Sequence, residues 1–193
     1  MHPNSRAWTG HVFVGASLDG FIARPDGDLD WLTDPPPGPV HAAIASDRPV
    51  RDFDAFLAGV DHVVMGRGTY EKVLDLGFWP YEPRPVIVLS TALVTDDERI
   101  TIAGSLDEML RLLEQASAHH VYVDGGRVIQ TFLRADLIDV IDVAWAPVLI
   151  GSGLPLFGEL GRDIQLSLTA SSADPSGMVH ASYRVHRPAH MSR

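Results

Sequence analysis

Twice in this chain, a short apolar strand runs into a glycine-rich turn that carries an arginine, and a helix is predicted to follow. The first copy spans residues 62–69 (HVVMGRGT) and the second spans residues 121–127 (VYVDGGR). Glycine lets the backbone approach a bound anion closely, and the free N–H groups of a helix start point at that anion. Two such turns predict an α/β fold that binds a ligand with more than one phosphate, such as a dinucleotide.

The composition excludes several classes of protein. The chain has 193 residues, 46% of them hydrophobic and 21% charged, so we expect one globular domain over residues 1–193 with an ordered core of about residues 10–187. A net charge of −10 argues against nonspecific nucleic-acid binding. The absence of cysteine excludes disulfides, thiol catalysis and cysteine-bound metals. No stretch approaches the roughly 20 apolar residues of a membrane span, so we expect no membrane partner and a cytoplasmic location.

Hydrophobic periodicity predicts helices that alternate with strands as far as about residue 136, and mostly strands afterwards. The predicted strands cover residues 11–16, 60–65, 86–89, 121–123 and 140–145, and the predicted helices cover residues 52–59 and 69–76 and begin at residues 105 and 127. Residues 164–171 and 178–186 alternate like an antiparallel terminal hairpin. The expected fold class is therefore α/β, with a mixed and mostly parallel central sheet, an antiparallel C-terminal hairpin and helices on both faces.

Each glycine turn has two interpretations when it is taken alone. Arginine binds phosphate through two parallel hydrogen bonds, but a glycine pair also marks an ordinary strand-to-helix turn. Together the turns favour a ligand site, because open α/β sheets bind ligands at the carboxyl ends of their strands. Ser90 and Thr91 follow a third apolar strand, where their hydroxyls could either contact a 2′-phosphate or cap a turn.

Several motifs, taken in order, resemble the dihydrofolate reductase superfamily, in the branch that includes the reductase domain of riboflavin biosynthesis. They lie at residues 16–23 (ASLDGFIA), 28–31 (DLDW), 64–71 (VMGRGTYE), 88–90 (VLS), 125–133 (GGRVIQTFL) and 147–157 (PVLIGSGLPLF). The resemblance implies a three-layer fold and an NADPH-dependent reductase, similar to 5-amino-6-(5-phosphoribosylamino)uracil reductase and working as a homodimer. The alternative is a non-catalytic NADP-binding or sensor protein.

Matching positions imply a cofactor site and several candidate catalytic residues. NADPH phosphates would contact Gly66, Arg67, Thr69, Gly125, Gly126, Arg127, Val128 and Ile129, with Ser90 and Thr91 near the 2′-phosphate and with Gly15, Ala16, Ile22 and Ala23 along the nicotinamide. Trp31 would close the pocket where cofactor meets substrate. Asp19, Asp30 and Asp124 are candidate proton donors, and solvent is the other source.

The substrate end departs from both known branches of the superfamily. A proline run at residues 35–37 replaces the helix that carries the pterin-binding acid in folate reductases, and the stretch 76–80 supplies no arginine for a ribose phosphate. We therefore expect a small heteroaromatic, imine or carbonyl substrate. The adjacent pair His119 and His120 cannot face one site from a regular helix or strand, so we predict no metal site.

Overall fold

The computed structural model describes residues 6–35 and 50–187, so most of the proline-rich stretch after Thr33 lies outside the described residues. The strands are β1 (Thr9–Ser17), β2 (Phe21–Ala23), β3 (His62–Gly66), β4 (Val86–Leu89), β5 (Ile100–Ala103), β6 (His120–Asp124), β7 (Val140–Ala146), β8 (Leu154–Pro155), β9 (Leu166–Ala173) and β10 (Val179–Val185). The helices are α1 (Asp30–Thr33), α2 (Phe53–Ala58), α3 (Arg67–Leu74), α4 (Leu106–Gln115) and α5 (Gly126–Arg134).

Eight strands form one sheet in the order β5-β4-β3-β6-β1-β7-β10-β9. The six strands from β5 to β7 in this order are mutually parallel, and β10 and β9 continue the sheet as an antiparallel hairpin. The predicted fold class, mixed and mostly parallel with an antiparallel C-terminal edge, is confirmed.

Helices cover the sheet on both faces, because its central strands are apolar on both sides. On β3, Val63 and Met65 pack into the core beneath α2 and α3, whereas Val64 packs into the core beneath α4 and α5. The same alternation recurs on β6, where Tyr122 faces α2 and Val123 faces α5. The result is the three-layer arrangement that the sequence predicts.

Periodicity missed the shortest elements. Residues 21–23 were expected to be part of a turn, but they form β2, which pairs with the two residues of β8 in a separate small sheet. Strand β5 and the single turn of α1 were also missed. Runs of two to four residues are too short to display a period of 2 or 3.6.

The central strands separate at their carboxyl ends. Strand β1 pairs with β6 only from Thr9 to His11, although it pairs with β7 as far as Ser17. Where the β1–β6 pairing stops, the Tyr122 hydroxyl donates a hydrogen bond to the Phe13 carbonyl at 2.9 Å. The carboxyl ends of β1 and β6 are therefore free of each other, and the gap lies where an open α/β sheet binds ligands.

Candidate functional site

The two helices that begin beside this gap lack the caps that the other long helices have. Helix α2 is capped by Asp52 and α4 by Ser105, and both have acidic residues in the first turn. The N-caps of α3 and α5 are Gly66 and Gly125, which provide no side-chain cap, and neither helix has an acid in its first turn. The first N–H groups of α3 and α5 therefore remain available to an anion.

The two glycine turns pack directly against each other. Gly125 has a φ of 86°, a conformation that favours glycine, and a β-carbon at this position would overlap the Thr69 hydroxyl. A β-carbon on Gly66 would lie 3.3 Å from a methyl group of Val128. The starts of α3 and α5 thus pack side by side, so that the uncapped N–H groups of the two helices lie in one region of the structure.

Both arginines of the turns reach solvent. The Arg67 Nε lies 3.6 Å from a carboxylate oxygen of Glu71, one helical turn away. Arg127 makes no ion pair with any residue that the structure describes, and its side chain is exposed. Ser90 caps a turn through its Oγ, which accepts the N–H groups of Ala92 and Leu93 at 3.2 and 3.0 Å. Its own O–H proton remains available as a donor.

The side chains of two predicted phosphate-binding residues are part of the core. Val128 is 3% exposed and Ile129 is fully buried, so only their backbone can face a ligand. The Ile129 N–H donates to the Gly125 carbonyl at 2.9 Å, which closes the first turn of α5. Thr91, in contrast, is exposed beyond the end of β4.

The opposite wall of the gap comes from β1, β2 and α1. A β-carbon on Gly126 would lie 3.0 Å from the Ile22 Cδ1 and 2.8 Å from the Pro155 carbonyl oxygen, so β2 and β8 pack against the start of α5. A β-carbon on Gly15 would lie 2.7 Å from the Leu32 Cδ2, so α1 packs over the second half of β1. The structure brings Gly15, Ile22 and Ala23 to this wall, whereas Ala16 is buried on the α4 and α5 side.

Trp31 is buried in α1 at 4% exposure. Its indole Nε1 is inaccessible to solvent, and the described residues offer it no hydrogen-bond acceptor. An unsatisfied buried donor costs about 1–3 kcal/mol. A ligand or ordered water that supplied an acceptor would remove this cost, which is consistent with a position at the edge of a binding pocket.

Asp124 ends β6 on the α2 and α3 side of the sheet, in register with Met65 of β3. The Tyr81 hydroxyl donates to the Asp124 Oδ2 at 3.1 Å. Burial raises the pKa of the Asp124 carboxyl above its usual value, although the Tyr81 hydroxyl, the Gly125 N–H and the nearby Tyr122 hydroxyl oppose the shift. The carboxyl is therefore suited to carry a proton closer to neutral pH than an ordinary aspartate does.

Asp19 has a different environment. Its carboxylate accepts hydrogen bonds from the Ser17 hydroxyl at 2.6 Å and from the N–H groups of Ile150 and Gly151 at 3.3 and 2.7 Å. The hydrogen bond from Ser17 is the main cause that lowers the pKa of Asp19. Asp19 thus joins the β1–β2 turn to the loop that precedes β8, and it stays ionised at neutral pH.

Tyr81 is a candidate functional residue that the sequence did not single out. It is 3% exposed, and its ring packs edge-on against Trp79 with centroids 5.3 Å apart. The Arg99 guanidinium lies 4.3 Å above the Trp79 ring. Trp79 is therefore part of a packed corner, with Tyr81 at its edge and Arg99 over its face. No local pattern connects Tyr81 to Asp124, because 43 residues separate them along the chain.

The described residues provide no group of three or more histidine and acidic side chains that could hold a metal ion. Within the same part of the chain, every helix is too short or too polar to cross a membrane. The backbone N–H groups of His119 and His120 donate hydrogen bonds to the Asp61 carboxylate. This contact lies at the opposite end of the strands from the gap.

Comparisons with known proteins agree with this architecture. A Bacillus subtilis protein named YwjB, of uncharacterised function, is 30% identical over 161 residues, which cover 81% of this chain and 87% of YwjB. A solved structure from Shewanella sp. PV-4, provisionally assigned to riboflavin biosynthesis, is 33% identical with a TM-score of 0.78, and the match covers 93% of this chain and 99% of that one.

A dihydrofolate reductase from Enterococcus faecalis, solved in complex with NADP(H), shares the fold with a TM-score of 0.63 at 19% identity, over 93% of this chain and 97% of that one. The chain therefore has the α/β fold of dihydrofolate reductases, which is a reductase-type fold. The family model of the RibD C-terminal domain matches residues 9–180. The chain belongs to the RibD C-terminal domain family.

Proposed function

We propose that this protein is an NADPH-dependent reductase that transfers a hydride to a small heteroaromatic, imine or carbonyl substrate. The observation that carries the proposal is the meeting of two uncapped helix starts, Gly66 of α3 and Gly125 of α5, beside the gap between β1 and β6. Free helix N–H groups bind phosphates, and two adjacent sets suit the diphosphate of a dinucleotide.

In this proposal the two turns bind the phosphates of the cofactor. The backbone N–H groups at the starts of α3 and α5 contact the diphosphate oxygens, and Arg67 and Arg127 neutralise their charge. Ser90 and Thr91 lie one strand further along the sheet and contact the 2′-phosphate, which distinguishes NADPH from NADH. These local donors act against the net charge of −10 of the whole chain.

The nicotinamide lies along Gly15, Ile22 and Ala23, with only the backbone of Ala16 in reach, and the bound cofactor supplies the hydride. Gly15 is suited to this role because a side chain there would collide with Leu32. The buried Trp31 and Leu32 then exclude water from the reacting face. Substrate occupies the space between α1 and Asp124.

Hydride transfer to a C=N or C=O group also requires a proton. Of the three candidate acids, Asp124 has the raised pKa that a proton donor needs, whereas Asp19 is held ionised by Ser17 and by two backbone N–H groups. A hydrogen bond from Arg24 lowers the pKa of Asp30, which therefore also stays ionised. We therefore assign proton delivery to Asp124. Asp19 positions the loop that borders the cofactor.

The arginines that contact Tyr81 and Trp79 are engaged elsewhere, which argues against a phosphorylated substrate. Arg84 donates to the carbonyls of Leu57 and Val60 at 2.9 and 3.1 Å. Arg99 pairs with Asp97 at 2.7 Å. Within the described residues, no arginine approaches the Asp124 carboxyl closely enough to influence its pKa. A neutral substrate fits this end better than the ribosylamino-pyrimidine phosphate does.

Thermal unfolding with and without NADPH tests the cofactor site directly. NADPH at 100 times its Kd should stabilise the fold by about 2.7 kcal/mol, equivalent to roughly 5–10 °C in Tm for a domain of this size. NADH should give a smaller shift at the same concentration. No shift with either nucleotide would contradict the proposal.

Turnover is the second measurement. NADPH oxidation is followed at 340 nm across neutral heteroaromatic, imine and carbonyl compounds, with the phosphorylated pyrimidine as comparison. NADPH binding without oxidation of any compound would favour the non-catalytic NADP-binding or sensor alternative. The homodimer and the cytoplasmic location expected from the sequence remain predictions, and light scattering of the purified protein tests the former.

A further inference from the structure

We infer that Tyr81 is a positioning residue for Asp124: its hydroxyl holds one carboxyl oxygen and stabilises the carboxylate that remains after the proton has moved to substrate. The inference rests on the proposed function for the direction of proton transfer. The structural relationship between Tyr81 and Asp124 can be tested without substrate or cofactor.

The Tyr81 hydroxyl occupies a fixed position. Its ring is buried between Trp79, at a centroid distance of 5.3 Å, and Tyr122, at 6.5 Å. The backbone after it is held as well, because the Arg84 N–H donates to the Tyr81 carbonyl at 2.7 Å. The Arg84 side chain also donates to carbonyls at the end of α2. A hydroxyl held in this way cannot follow a moving carboxyl, so it selects one orientation of the carboxyl.

Tyr81 itself is not the proton donor. Burial, together with the nearby Asp124, raises the pKa of Tyr81 far above its usual value, so its hydroxyl keeps its proton at every working pH. It therefore acts only as a hydrogen-bond donor to Asp124. Such a bond is stronger to a carboxylate than to a neutral acid.

This difference makes Tyr81 useful in the proposed step. The Asp124 O–H bond breaks as an N–H or O–H bond forms on the substrate heteroatom. The carbon next to that heteroatom takes the hydride together with its electron pair, and the π electron pair of the double bond moves to the heteroatom, where it forms the new N–H or O–H bond. The Asp124 carboxylate then accepts a charge-assisted bond from Tyr81 until solvent returns a proton. Tyr81 thus stabilises the charge where it develops.

Among residues 6–35 and 50–187, only three polar groups act on Asp124. They are the hydroxyls of Tyr81 and Tyr122 and the N–H of Gly125. The facing positions on the neighbouring strands are apolar, with Met65 on β3 and Phe13 on β1. Tyr122 already donates its proton to the Phe13 carbonyl at 2.9 Å. Tyr81 is therefore the hydroxyl whose proton is directed to the carboxyl.

The test compares Tyr81→Phe with a matched control. Tyr70 is another buried tyrosine that packs edge-on against Trp79, at 6.4 Å, and its hydroxyl donates to Asp97 at 2.9 Å. Tyr70→Phe therefore removes the same group from the same cluster without affecting Asp124. The carboxyl carbon of Asp124, assigned with Asp124→Asn, is titrated by carbon-13 NMR in the unliganded protein.

We expect Tyr81→Phe to raise the pKa of Asp124 by about one unit and Tyr70→Phe to leave it unchanged. An unchanged or lowered pKa in Tyr81→Phe would overturn the inference. If Tyr81→Phe does not fold, the ring carbon bonded to the Tyr81 hydroxyl is observed in the wild type instead. The chemical shift of this carbon should change with pH as Asp124 titrates, and this pH dependence should disappear in Asp124→Asn. A chemical shift that does not change as Asp124 titrates would also overturn the inference.

Kinetics then separate this inference from the proposed function. In an active enzyme, Tyr81→Phe should lower kcat about tenfold at neutral pH and leave the KM for NADPH unchanged. The alkaline limb of the plot of kcat against pH should move to higher pH. A purely structural role would leave the limb where it is. Absence of turnover in the wild type would contradict the proposed function, whereas the NMR titration would still decide the role of Tyr81.

Discussion

Thr69 and Gly125 come from different turns of the chain, yet the Thr69 hydroxyl fills the space that a side chain on Gly125 would need. We expect Gly125→Ala to weaken NADPH binding at least tenfold, because it must displace Thr69 and also adopt a φ of 86°. Gly77→Ala is the matched control, since Gly77 has a φ of 75° with no atom within 4 Å of its β-carbon position. Equal losses of affinity in the two variants, measured by titration calorimetry, would contradict the close packing of the turns.

The arginine of the second turn should contribute charge to the phosphate site. Arg127→Ala removes an exposed cation from the first turn of α5, and we expect it to lower NADPH affinity about tenfold. The loss should shrink as salt rises, because an exposed charge is screened. Arg111→Ala removes an exposed charge from α4 instead and serves as the control. Fluorescence titration of NADPH at two salt concentrations measures both variants.

Asp124 should control the pH dependence of turnover. A proton donor works in its protonated form, so kcat should fall as pH rises through the raised pKa of Asp124. Asp124→Asn should lower kcat by about 100-fold and remove this fall, which is the alkaline limb of the plot of kcat against pH. Asp19→Asn should keep the limb, because Asp19 is ionised and joins two loops. A limb that persists in Asp124→Asn would assign the proton to another group.

The raised pKa of Asp124 also predicts how the stability of the fold changes with pH, which can be measured without an activity assay. Because burial raises the pKa of Asp124 in the folded state, the folded protein holds this proton more tightly than the unfolded chain does. The stability that Asp124 contributes is fully present at pH values below its pKa in the unfolded chain. It is lost as the pH rises through the pKa of Asp124 in the folded protein. Asp124→Asn should therefore raise Tm relative to the wild type at pH 8 and have little effect at pH 3.5. Thermal scans at the two pH values test this difference.

An ion pair between the exposed Arg51 and the buried Asp142 anchors the segment before α2 to the sheet. The Arg51 guanidinium lies 3.1 Å from a carboxylate oxygen of Asp142, which is 2% exposed on β7. It also lies 4.8 Å above the Phe56 ring. Arg51→Ala leaves Asp142 without its ion-pair partner and should destabilise the fold by about 1–2 kcal/mol, because solvent screens the exposed guanidinium and water can enter beside the carboxylate. Urea unfolding measures the loss, and Arg111→Ala should cost under about 0.5 kcal/mol.

The sheet and the long helices were predictable because their signals are local. Strand β4 is a continuous apolar run, as a strand covered on both faces requires, and it was predicted over the residues that it occupies. Helix α4 begins at Ser105, whose hydroxyl accepts the Glu108 N–H at 3.2 Å as its capping sequence indicates. The Glu108 carboxylate bonds the Gly104 N–H at 2.8 Å instead of the Ser105 N–H, which no sequence pattern would reveal.

The chemistry of the site was only partly predictable. The turns at Gly66 and Gly125 can be predicted from the sequence because the strand, the glycine and the helix start are adjacent along the chain. The environments of Asp19 and Asp124 depend on residues that are distant in sequence, Gly151 and Tyr81. Two aspartates that look alike in sequence therefore have opposite pKa shifts in the fold.

The missing caps on α3 and α5 have a consequence for how this protein holds its shape. A serine or aspartate cap stabilises a helix start by about 0.5–2 kcal/mol at all times. Under the proposed function, α3 and α5 gain comparable support only while an anion is bound. Because Thr69 touches Gly125 and Val128 touches Gly66, an anion that orders one helix start restrains the other as well. Ligand occupancy and local order thus rise together, and amide hydrogen exchange at residues 67–69 and 126–128 should slow as a single unit when the ligand binds.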